Sequence, residues 1–83
     1  MYYTYAIVSL ARSYIYVGIS DNPERRIASH NAGHNKTTKP YRPFRMLLIE
    51  QFDSREKARA REKYLKSGVG KEFLKQLLIE ADW

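Results

Sequence analysis

The sequence predicts a small α/β domain of the α+β type, in which a three-stranded antiparallel sheet is flanked by helices. Three observations lead there. Two short runs rich in Tyr, Ile and Val sit either side of a brief polar break, the pattern of a β-hairpin. A third apolar run, Phe44 to Phe52, stands alone between polar segments. The stretches after Ser20 and after Asp53 open with helix-start residues. The expected order is β-β-α-β-α-α, in one domain spanning residues 1–83.

The hairpin runs from Tyr2 to Leu10 and from Tyr14 to Ile19, with Ala11-Arg12-Ser13 as the break. A turn at Ala11-Arg12 sets Tyr5 opposite Gly18 and Ile7 opposite Tyr16. Strand residues alternate between faces. Ile15, Val17 and Ile19 therefore face one way, and Tyr14, Tyr16 and Gly18 the other. The first helix starts at Asn22-Pro23-Glu24, with an Asn cap, a Pro at the first helical position and an acid in the first turn. It runs to about Asn31, and Gly33 ends it. HNKTTKPYRP, residues 34–43, has two prolines and no periodicity, and reads as a loop. Asp53 to Glu56 has capping-box spacing before a helix from Ser54 to about Lys66. Ser67-Gly68-Val69-Gly70 breaks the chain. A last helix, Lys71 to about Ala81, gathers Phe73, Leu74, Leu77, Leu78 and Ala81 on one face.

Composition narrows the partner. The net charge is +6. Arg55 to Lys75 holds eight Lys/Arg against three Glu, and Asn22 to Arg45 holds six against one. Two separated basic segments suit one polyanion, with nucleic acid ahead of a membrane surface. The chain has no cysteine, so disulfides and thiolate zinc sites are excluded. That absence fits a reducing, cytoplasmic compartment. No run approaches the roughly 20 apolar residues of a membrane span. The N-terminus reads as a strand and not as a signal peptide.

A few residue types stand out as chemistry. Arg26 and His30 are four apart, so one helix face carries a cation and an imidazole. Such a pair can meet a phosphate, and its spacing also suits a solvated helix face. Glu62 falls on the inward stripe of its helix, between Ala58 and Leu65. A carboxylate there must pair, bind metal or reach a cleft. Tyr5, Tyr16 and Gly18 share a sheet face made shallow by the glycine, where a substrate backbone could approach. The two phenols can orient or deprotonate water, or simply pack across strands. Together these groups suit phosphodiester hydrolysis.

YTY at Tyr3-Thr4-Tyr5, YVG at Tyr16-Val17-Gly18, NPERRIASHN with Arg26 and the His30-Asn31 pair, TTKPYRPF and REKYLKSGVGKEF follow one another along the chain. In that order they resemble the GIY-YIG nuclease superfamily, and most closely its compact single-domain bacterial members. The resemblance implies a metal-dependent endonuclease acting on DNA, with RNA open as a substrate. It implies one Mg²⁺ or Mn²⁺ on Glu62, with Tyr5, Tyr16, Arg26 and His30 as the other catalytic groups. Either tyrosine could be the base. Gly18, Asn31, Lys39, Arg59, Lys63 and Lys66 are the expected substrate contacts. Three signature positions depart from the family pattern. Tyr3-Thr4 replaces Gly-Ile, and Val17 replaces Ile. The degenerate first signature also allows a nucleic-acid-binding module that keeps the fold without cutting. Larger relatives carry an added DNA-reading or protein-binding domain, for which this chain has no room. Structure-selective or low-specificity cleavage is therefore expected, in repair, recombination or mobile-element processing. A homodimer or accessory protein would supply specificity.

Overall fold

The computed structural model describes residues 1–81. Its elements are β1 Tyr2–Ser9, β2 Ile15–Ser20, α1 Pro23–Ala32, β3 Phe44–Phe52, α2 Arg55–Lys66 and α3 Gly68–Glu80. The sheet is antiparallel with strand order β2-β1-β3, and the central strand is the most buried. The register matches the sequence reading: Tyr5 pairs with Gly18 and Ile7 with Tyr16. The Ser9 hydroxyl fixes the turn by accepting from the backbone N–H groups of Ala11 and Arg12, at 3.1 and 3.0 Å.

Strand parity divides the core in two. Ala6 and Val17 pack with Leu65 of α2 and Leu74 of α3 on one face. Tyr5, Ile7, Tyr16, Phe44 and Met46 meet Ile27 of α1 on the other. Tyr14 belongs to this second cluster and stacks on Tyr41, with ring centroids 4.0 Å apart. Thr4 shows what the unusual first signature does. Its buried hydroxyl donates to the Ala58 carbonyl at 2.7 Å, so a polar residue in the central strand ties β1 to α2.

α1 begins and ends as its sequence predicts. The Asn22 side chain accepts from the Arg25 N–H, and Gly33 closes the helix in the left-handed region at φ 82°. Three boundaries differ. α2 is capped by Ser54, which accepts from the Lys57 N–H. Asp53 instead pairs with Lys57 at 3.1 Å, and no capping box forms. The 34–43 loop contains a 3-10 turn at Lys39–Tyr41. α3 starts at Gly68, because Ser67 serves both helices: its N–H bonds to the Tyr64 carbonyl, and its hydroxyl accepts from Gly70. Val69 and Gly70 are thus helical.

Gly70 is buried where α3 crosses the end of α2. A Cβ there would overlap the Tyr64 carbonyl oxygen and the Leu65 Cα, which are backbone atoms and cannot swing aside. Gly70→Ala is expected to destabilise the fold by about 1–3 kcal/mol or more, measurable as a lower urea midpoint. The predicted apolar face of α3 is also narrower than expected. Leu74 is buried, whereas the Phe73 ring lies outside and covers the Arg61 guanidinium at 5.4 Å. Arg61 in turn holds Glu50 of β3 through Nε and an η nitrogen, at 2.7 and 3.2 Å. Ala81 follows the helix as its C-cap.

Candidate active site

α1 lies on the sheet face that carries the two phenols. Its cap sets the helix phase, and the spacing of four then turns Arg26 and His30 together toward β1. His30 is 1% exposed, and Tyr5 is fully buried. The imidazole ring lies 4.8 Å from the Tyr16 ring and 6.3 Å from the Tyr5 ring.

The Tyr5 hydroxyl is where the groups meet. His30 Nε2 is 3.2 Å from it. Burial raises the phenol above its ordinary value of 10.0. Arg26 lowers it, acting on the hydroxyl as hydrogen-bond donor and as charge, while the nearby Tyr16 and Glu62 raise it. Tyr5 is therefore a protonated phenol at neutral pH. Tyr16 is the less buried of the two tyrosines.

Gly18 has a different part from the one its sequence suggests. It is buried, and a Cβ built on it would lie 2.8 Å from the Tyr5 hydroxyl and 3.1 Å from a ring carbon of Tyr16. The missing side chain makes room for the two phenols.

His30 Nδ1 lies 2.8 Å from the Thr38 hydroxyl. Thr38 is fully buried and is the residue that sequence reasoning missed. It sits in an aperiodic loop beside a second threonine, so nothing local singles it out. Burial, and next the Arg26 charge, lower the His30 pKa below its ordinary 6.5. The unfolded chain then binds the proton more readily, so the stability linked to His30 is present above about pH 6.5 and is lost as pH falls below it. The fall of Tm between about pH 7 and pH 5 is expected to be shallower in His30→Gln than in the wild type.

Glu62 is only 14% exposed at its side chain and accepts from Lys66 at 3.3 Å, with Arg59 3.6 Å away. Its charge still reaches the Tyr5 phenol from α2. Among the described residues no three His, Cys, Asp or Glu side chains cluster as a metal cage. One recessed carboxylate offers hard oxygen donors, which suits an ion that keeps most positions for water and phosphate. Lys39, Arg59, Lys63 and Lys66 are all exposed. Asn31 is engaged elsewhere: its amide donates to the Phe44 carbonyl at 3.3 Å and accepts from the Phe44 N–H at 2.6 Å, tying α1 to β3. A cavity of about 700 Å³ lies between the hairpin tip and α3, and Tyr16 and Lys66 line it too.

A basic α+β domain that packs a second tyrosine and a histidine against one buried phenol, whose pKa an arginine and a glutamate also shift, has the features of a nuclease domain. The family model described as the GIY-YIG catalytic domain matches residues 1–75, and the chain belongs to that nuclease family. It is 38% identical over 77 residues to a UPF0213 protein of Staphylococcus haemolyticus, covering 92% of this chain and 93% of the relative. It is 39% identical over 67 residues to a UPF0213 protein of Natronomonas pharaonis, covering 80% and 78%. No solved structure gives a significant match. No helix among the described residues is long and apolar enough to cross a membrane.

Proposed function

We propose that this chain is a divalent-metal-dependent endonuclease that hydrolyses DNA phosphodiester bonds with low sequence specificity or by substrate structure. The observation that carries the reading is the packing of Tyr16 and His30 about the buried Tyr5 phenol, with Arg26 and Glu62 acting on it electrostatically.

Each group has a role in that reading. Tyr16, the less buried of the two phenols, orients the attacking water. Tyr5 and His30 form the proton-handling pair behind it. The Arg26 guanidinium offers several N–H donors, and these stabilise charge developing on the phosphate. Glu62 holds the Mg²⁺ or Mn²⁺. When bound, that ion supplies Lewis-acid polarisation of the scissile phosphate. Lys39, Arg59, Lys63 and Lys66 hold neighbouring phosphates without reading bases. The setting is DNA repair, recombination or mobile-element processing in the cytoplasm, with a second copy or an accessory protein adding specificity.

The test is nicking of supercoiled plasmid with Mg²⁺ or Mn²⁺, alongside branched and flapped DNA and an RNA duplex. Cleavage that requires the ion and stops with EDTA is the expected result. Salt-sensitive DNA binding without any cutting would instead establish a binding module of the same fold.

A further inference from the structure

We infer that Thr38 is a positioning residue: its hydroxyl accepts from His30 Nδ1–H and so holds the imidazole in the tautomer whose Nε2 accepts the Tyr5 phenol hydrogen. The catalytic consequence rests on the nuclease reading, but the tautomer itself does not.

The directions of the hydrogen bonds lead to this assignment. The Arg26 guanidinium, which lowers the Tyr5 pKa, can only donate and so cannot take the phenol hydrogen. The phenol is fully buried, so its hydrogen needs a protein acceptor, and His30 Nε2 stands 3.2 Å away. A neutral imidazole carries one N–H, and with Nε2 accepting, that N–H is on Nδ1. Nδ1 lies 2.8 Å from Thr38 Oγ1, and the Thr38 hydroxyl has its own acceptor in the Asn35 carbonyl at 3.5 Å. Every donor in the chain then points the same way, from Tyr5 through His30 and Thr38 to the loop backbone, an order in which each bond polarises the next.

The opposite tautomer breaks this order twice. Nε2–H would point at the phenol oxygen, leaving the phenol hydrogen buried without an acceptor. The Thr38 hydroxyl would have to turn from the Asn35 carbonyl to Nδ1. Among the described residues no buried side-chain polar atom lacks a partner, so such a loss would be an exception here. Asn35 also holds the loop from below: its side chain accepts from the N–H groups of Thr37 and Thr38, at 2.9 and 3.3 Å. The loop thus presents the threonine in a fixed position on the imidazole.

The experiment combines a spectroscopic and a kinetic arm on the full chain. ¹⁵N-histidine spectra near neutral pH report which ring nitrogen is protonated, and His34→Gln identifies the signals of His30, as the chain has two histidines. The wild type is expected to show protonated Nδ1 and bare Nε2. Thr38→Val keeps the shape and removes the acceptor. It is expected to shift His30 toward Nε2–H and to slow plasmid nicking about tenfold or more. Thr38→Ser restores both. A wild-type His30 protonated on Nε2 overturns the inference, as does a Thr38→Val protein with unchanged tautomer and rate. Should Thr38→Val not fold, the wild-type and Thr38→Ser spectra decide. Absence of nicking with the expected spectra would count against the nuclease reading and leave the role of Thr38 on the ring intact.

Discussion

Glu62→Ala is expected to lower Mg²⁺- or Mn²⁺-dependent plasmid nicking by at least about 100-fold while the protein stays folded. The physical reason is the shortage of alternatives. No metal cage exists among the described residues, and Glu62 is the carboxylate whose charge reaches the Tyr5 phenol. Its ion-pair partners, Arg59 and Lys66, are about half exposed at 49% and 55%, and such pairs contribute roughly 0–1 kcal/mol each. The Tm should therefore change little. Glu62→Gln keeps the shape and loses the charge, so it should fail like alanine. Nicking at the wild-type rate by both proteins would place the ion elsewhere.

Arg26→Ala is expected to reduce kcat by about 10²–10³, the usual cost of removing one preorganised donor from a developing oxyanion. A second effect adds to it. Arg26 is the group that pulls the Tyr5 phenol down against burial, so its loss leaves that hydroxyl more firmly protonated. Arg26→Lys keeps the charge without the planar fork and should recover only part of the rate. Single-turnover kinetics at saturating DNA separate this from weakened binding. A variant that loses affinity but keeps its maximal rate would make Arg26 a phosphate clamp and nothing more.

The hairpin was legible because its signal has a period of two. Once the turn is placed, parity dictates that Tyr5 meets Gly18 and that Val17 faces away from Tyr16. α1 was legible because Asn22, Pro23 and Gly33 act within a turn of their own positions. The start of α3 was not, since two glycines near a serine read as a break. Only packing against α2 shows why they are helical: Gly70 lies where no Cβ fits. Asn31 and Gly18 stand out in the sequence, but the contacts they make join distant stretches of chain. One holds the Phe44 backbone and the other makes space for phenols.

By itself the sequence determined the order of elements, the faces of the hairpin, the basic character and the family signature, all carried by local periodicity and spacing. The tertiary structure decided which groups meet. Tyr5 and His30 are 25 residues apart, and Glu62 comes from a helix packed with the opposite face of the sheet. Thr38 reaches His30 only because its loop folds back under α1. Such meetings depend on how helices seat on a sheet, to within a few tenths of an ångström. That seating is a property of the packed core as a whole, to which no single stretch of chain holds the key.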